Sequence, residues 1–146
     1  MGLFYSADFG NTWTELNNGI PNTEYISINS IEFSPTNSDS IVVSSANGPY
    51  LSADGGVSWT SIRNNLSGYE IIWDVHFPKW DSKQLLMGTY GLLYKSQLPT
   101  VNWQPVSQLN SLLPGSIEDI ETSSNQKIFL GTRYNGIFRS IDGGST

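Results

Sequence analysis

Hydrophobic and polar residues follow one another in short runs along this chain, and the same succession of runs keeps returning. Ser6, Ser52, Ser96 and Ser140 mark one place in successive units, at intervals of 46, 44 and 44 residues. The first run of a unit is Ile28–Phe33 (INSIEF), Ile72–Phe77 (IWDVHF) or Ile117–Thr122 (IEDIET). The second is Ile41–Ser44, Leu85–Gly88 or Ile128–Gly131, and the third ends on the marker serine: GLFYS (2–6), GPYLS (48–52), GLLYKS (91–96) and GIFRS (136–140). The fourth begins at a tryptophan seven positions later, in WTEL, WTSI and WQPV. Runs this short, alternating or continuously apolar and bounded by Gly, Asn, Asp, Ser and Pro, predict strands rather than helices.

The expected fold is therefore all-β. Four antiparallel strands in about 45 residues is the size of a β-propeller blade, a sheet that buries neither face until neighbours stack against it. The 146 residues suit one domain, divided into units of approximately 1–27, 28–70, 71–115 and 116–146. The runs number two in the first unit, four in each of the next two and three in the last, thirteen strands in all. Closed propellers have about four to eight blades. A chain of little more than three is thus expected to self-associate, or to be completed by the rest of a longer propeller chain.

The octet that follows each third run repeats most closely: SADFGNTW at 6–13, SADGGVSW at 52–59 and SIDGGST at 140–146, with a degenerate SQLPTVNW at 96–103. It falls where a hairpin must reverse. Gly10 and the Gly55-Gly56 pair suit positive φ. Asp8, Asp54 and Asp142 suit an Asx-type turn that accepts backbone N–H groups two or three residues on. The serine hydroxyl adds a further bond, and the tryptophan is placed to lie over the turn. Ser6, Asp8, Gly10, Thr12 and Trp13, and again Ser52, Asp54, Gly56, Ser58 and Trp59, resemble the Asp-box or BNR repeat, as do Ser140, Asp142 and Gly144. That element recurs in sialidases, family-74 xyloglucanases, the sortilin-type receptor propeller and the photosystem II assembly propeller. The resemblance implies a structural role for the octet, remote from any active site, and favours an extracellular or periplasmic location.

Composition removes several function classes. Seven Lys and Arg against thirteen Asp and Glu give a net charge of −6, with no basic stripe to meet phosphates, so nucleic acid is not expected as a partner, and with no apolar run of about twenty residues membrane insertion is not expected either. There is no cysteine, hence no disulfide or thiolate chemistry, and no signal peptide is visible in residues 1–20. Each octet offers a single carboxylate where calcium needs about six to eight oxygens, so no metal and no cofactor are expected. Sialidase chemistry is disfavoured, because the family's Phe/Tyr-Arg-Ile-Pro motif is missing and only Arg63, Arg133 and Arg139 are present.

Function is expected at the other end of the sheets, where the family resemblance places ligands. The turns between second and third runs bring Asn47, Tyr90, Arg133 and Tyr134 there, and the segments leading into first runs bring Tyr25, Tyr69, Glu70 and Trp73. Tyr25, Tyr69, Trp73, Tyr90, Arg133 and Tyr134 suit a glycan or a peptide. First runs carry Ser30/Glu32, Asp74/His76 and Asp119/Glu121 on one face, opposite Ile31/Phe33, Val75/Phe77 and Ile120. Paired carboxylates could serve glycoside hydrolysis, with Glu70, Asp74, Glu118 and Asp119 as candidate acids; the alternative is hydrogen bonding between blades. Three functions follow: a non-catalytic recognition or scaffold propeller, part of an Asp-box glycoside hydrolase, or an assembly factor for a protein complex.

Overall fold

The computed structural model describes residues 2–21, 26–67, 71–106 and 115–145. Its thirteen described strands are β1 (Phe4–Tyr5), β2 (Thr14–Glu15), β3 (Ile28–Phe33), β4 (Ile41–Ser45), β5 (Tyr50–Ser52), β6 (Thr60–Ser61), β7 (Asp74–His76), β8 (Gln84–Gly88), β9 (Leu93–Gln97), β10 (Gln104–Pro105), β11 (Ile117–Thr122), β12 (Ile128–Thr132) and β13 (Gly136–Ser140). They form four antiparallel meanders: β1-β2, β3-β4-β5-β6, β7-β8-β9-β10 and β11-β12-β13. The paired part of β7 is shorter than the six apolar-patterned residues around it, although Trp73 N–H still donates to Gly88 O at 3.1 Å.

The second strand of each sheet explains the architecture. In β4 every residue is buried, as its unbroken run Ile41-Val42-Val43 requires when sheets pack on both faces. Alternate residues serve opposite neighbours. Ile41, Val43 and Tyr50 join Leu3, Ile20, Ile26 and Trp59 between the first and second sheets. Val42 joins Val75, Phe77, Leu85, Met87 and Trp103 between the second and third. Leu86 and Leu93 meet Ile117, Ile120, Ile128 and Leu130 between the third and fourth. Each such side chain contributes about 1.5–3 kcal/mol by leaving water, so the sheets hold one another in place. The first strands β3, β7 and β11 are neighbours across sheets and line one inner side of the stack.

The expected alternation of faces holds in β3, but burial differs at the N-terminal side. Val75 and Phe77 are fully buried, whereas Ile31 and Phe33, at the same positions in β3, are 54% and 56% exposed. Among the described residues the first sheet consists of β1 and β2, and it leaves Ile31 and Phe33 open.

Candidate functional site

At one end of the sheets lie the octet turns, and their bonding is local. Ser6 Oγ donates to Asp8 Oδ1 (2.9 Å) and accepts from Gly10 N–H (2.7 Å). Asp8 accepts from Thr12 N–H at 2.8 Å and from the Thr12 hydroxyl at 2.6 Å. Ser52, Asp54, Gly56 and Ser58 repeat the pattern at 2.7, 2.8, 2.9 and 2.5 Å. Ser140, Asp142, Gly144 and Ser145 repeat most of it. The aspartates reach four residues on in the first two turns, one further than the sequence suggests, and three in the last. The Thr12 hydroxyl first, then Thr12 N–H and Ser6, hold the Asp8 carboxyl at about 2. The corresponding Ser58 and Ser52 groups do the same for Asp54.

The tryptophans go beyond the expectation that they lie over their turns. Trp13 does close over its own turn, donating to Gly10 O at 3.1 Å, but is 62% exposed. Trp59 also lies over its own turn, its ring 3.6 Å from the position of a Cβ on Gly56, but Trp59 and Trp103 donate to the preceding sheet, to Leu16 O (3.0 Å) and Ile62 O (2.7 Å), and are buried to 5% and 1%. Around them stand residues the sequence reading passed over. Asn65 both donates to Trp103 O (2.9 Å) and accepts from Trp103 N–H (2.8 Å), Asn64 donates to Val101 O (2.7 Å), and Trp59 N–H donates to Asn18 O (2.8 Å). A Cβ on Gly19 would fall 2.0 Å from Trp59 O, so only glycine permits this approach. The repeated Asn-Asn of NNG and NNL was the available signal.

The inner side carries an acidic groove of about 390 Å³ lined by Ser30, Glu32, Asp74, His76, Asp119 and Glu121 among others. Its groups are engaged across sheets. His76 Nδ1 meets Glu32 Oε2 at 2.5 Å in the second sheet, and Nε2 meets Thr122 Oγ1 at 2.9 Å in the fourth. Asp74 Oδ2 accepts from Ile120 N–H at 2.8 Å, while Ser30 Oγ accepts from Val75 N–H at 3.2 Å. Burial raises the Asp74 carboxyl, opposed by its Ser30 and Ile120 hydrogen bonds. Among the described residues no group of three or more His, Asp or Glu is placed to hold a metal ion.

The end opposite the octets assembles around Gly115-Ser116. Gly91 N–H donates to Gly115 O (2.7 Å), Ile117 N–H to Thr89 O (3.0 Å) and Arg133 N–H to Ser116 O (3.1 Å). Tyr90 bridges to Ser116, and the ring of Tyr134 lies at van der Waals distance from the position of a Cβ on Gly115. Arg133 stands 5.0 Å over the Trp73 ring and pairs with Glu118 at 2.5 Å. Four of the six expected ligand residues, Trp73, Tyr90, Arg133 and Tyr134, thus gather about one segment; Tyr25 and Tyr69 lie outside the described residues, as does the candidate acid Glu70. Of the other candidate acids, Glu118 belongs to this end, whereas Asp74 and Asp119 line the groove. The turn of the second sheet is different, with Arg63 donating to Asn47 O at 3.1 Å.

No family model matches the chain, and no curated protein matches it. Solved structures do. An ancestral GH74 enzyme superposes with a TM-score of 0.71 at 16% identity, covering 98% of this chain and 20% of that one. The GH74 xyloglucanase from Xanthomonas campestris gives 0.68 at 17%, covering 98% and 26%. YCF48 bound to D1 peptide gives 0.62 at 12%, covering 98% and 45%. The fold is that of β-propeller blades. The chain spans less than half of each of these proteins, and its four sheets are two complete blades flanked by two partial ones.

Proposed function

We propose that this chain is a non-catalytic recognition module of the Asp-box propeller class, binding a glycan or an extended peptide on the blade end opposite the octets. The observation that carries the reading is the cluster about Gly115-Ser116. Tyr90 and Tyr134 offer exposed rings there, beside an Arg133 already held by Trp73 and Glu118. Exposed aromatic rings stack on sugar faces or peptide side chains, and a guanidinium fixed by a ring and a carboxylate presents its remaining donors without further loss of rotamer entropy. The candidate acids support the same reading, since Asp74 is occupied by Ile120 N–H and Glu118 by Arg133.

The likeness to two GH74 enzymes favours a second reading, in which these blades are part of a glycoside hydrolase. YCF48, a neighbour with a peptide bound, keeps a protein-assembly role beside it. A glycan array that includes xyloglucan oligosaccharides, a peptide array and a reducing-sugar assay separate the three. Under the proposed reading a ligand binds without being cleaved, and Tyr134→Ala or Arg133→Ala weakens it about tenfold, about 1.4 kcal/mol. Hydrolysis abolished by Asp74→Asn or Glu118→Gln overturns the non-catalytic assignment.

A further inference from the structure

The joints after β2 and β6 are built on matching turns but use asparagine differently. Ile20 N–H closes the first turn on Asn17 O (2.9 Å), and Leu66 N–H closes the second on Arg63 O (3.0 Å). In the second joint the asparagine side chains are committed, Asn64 to Val101 O and Asn65 to Trp103. In the first joint the main chain makes the contacts. Asn18 O accepts from Trp59 N–H, and the close approach of Trp59 O demands glycine at position 19. Asn18 is left exposed, and among the described residues its side-chain amide makes no hydrogen bond.

An asparagine followed by glycine is chemically labile, because no side chain shields the next backbone nitrogen. That nitrogen gives up its proton and attacks the asparagine Cγ. The new N–Cγ bond closes a succinimide as the Cγ–Nδ2 bond breaks and the amide nitrogen leaves as ammonia. Water then opens the ring at either carbonyl. One product is aspartate. The other is isoaspartate, whose main chain runs through Cβ and Cγ and whose former backbone carbonyl becomes a carboxylate branch.

The chain has three such pairs, Asn18-Gly19, Asn47-Gly48 and Asn135-Gly136, and the fold treats them differently. Gly48 N–H is bound to Ser45 O at 3.2 Å, in a turn where Ser45 N–H also donates to Gly48 O at 3.1 Å. Asn135 N–H and Gly136 O are both held by the Thr132 hydroxyl, at 3.2 and 2.9 Å. Gly19 N–H has no acceptor among the described residues. Asn18 O, in the same peptide unit, accepts from Trp59 N–H at 2.8 Å. A bond to that oxygen draws electron density from the nitrogen and eases loss of its proton. Asn47 O accepts likewise from Arg63 at 3.1 Å, but there the nitrogen's proton is already spent on Ser45 O.

We propose that Asn18-Gly19 is a self-modification site, converting to isoaspartate in the folded protein and thereby loosening the joint between the first and second sheets. The inserted methylene displaces the carbonyl that Trp59 N–H uses and moves Gly19 out of the one position its missing Cβ allows beside Trp59 O.

Incubating the whole protein in mildly alkaline buffer, with peptide mapping and labelling by an isoaspartyl methyltransferase, tests this. In the folded protein conversion at Asn18 is expected to outpace that at Asn47 and at Asn135 by about tenfold, as a barrier difference of about 1.4 kcal/mol gives. In urea the three are expected to convert at similar rates. The converted fraction, separated by its extra negative charge, should exchange the Trp59 amide hydrogen faster and melt at a lower temperature than unconverted protein. Asn18→Asp carries the charge without the methylene and keeps the wild-type midpoint; Asn18→Gln keeps it too and stays unconverted. Conversion at Asn18 no faster than at the other two in folded protein overturns the proposal. So does the same ranking in urea, which would make the preference a property of the sequence alone, or a converted form whose Trp59 exchange and midpoint match wild type.

Discussion

At the scale of single residues, the aspartates of the octets are acid-sensitive latches. Held at about 2 against an ordinary 3.8, Asp54 favours the folded state at every pH above its ordinary value, and that contribution fades as pH falls from about 4 towards 2. Asp54→Asn is therefore expected to be less stable than wild type at pH 7, with the difference closing below pH 3; urea midpoints across that interval measure it. A constant difference at all pH values would show that the charge is irrelevant to the turn. The neighbouring position reports on backbone strain. Gly55 and Gly143 sit at φ 71° and 69°, and the same place in the first octet is held by Phe9 at φ 58°, its side chain fully exposed. An L-residue there costs about 1–2 kcal/mol. Phe9→Gly is expected to recover up to about 1 kcal/mol, read as a rise in thermal midpoint; a fall would mean that the exposed ring has a partner.

At the scale of elements, blades are joined by tryptophans that look alike in sequence and differ in structure. Trp103→Phe removes a buried indole bond to Ile62 O and should cost about 1–2 kcal/mol by chemical denaturation, whereas Trp13→Phe removes a bond at an exposed site and should cost less than 0.5. Equal costs would mean that the bond across sheets contributes nothing. This is also where the sequence stops being informative. Strands β3 and β11 could be read to the residue, because periodicity and repetition both report on local pairing. The octet turns could be read for the same reason, their partners lying within four residues. The joints could not: Asn64 and Asn65 find their partners 37 and 38 residues away, and an asparagine between strands looks the same whether it ends a turn or spans two sheets. The cluster about Gly115-Ser116 was legible as a set of aromatics at one end of the blades. Its convergence on a single segment came from hydrogen bonds between units, which no pattern within a unit encodes.

At the scale of the whole molecule, stacked blades are expected to behave as a short array in which stability and cooperativity reside in the interfaces. The apolar clusters between sheets join neighbours pairwise. His76 is different, because its two ring nitrogens contact Glu32 in the second sheet and Thr122 in the fourth, binding three sheets through one buried side chain. His76→Ala leaves both partners without that contact and opens a void, at a cost of about 3 kcal/mol at pH 7. The more telling consequence is in coupling. If His76 ties the blades together, its removal lets the last sheet open separately, and native-state hydrogen exchange should show protection falling further in β12 than in β4. A uniform loss across both strands would reduce His76 to ordinary core packing, leaving cooperativity to the apolar faces. The position explains why a histidine suits it. An aliphatic side chain at the inner edge of β7 could fill the space, but it could not meet a carboxylate on one side and a hydroxyl on the other, and the second and fourth sheets would lose the polar link between Glu32 and Thr122.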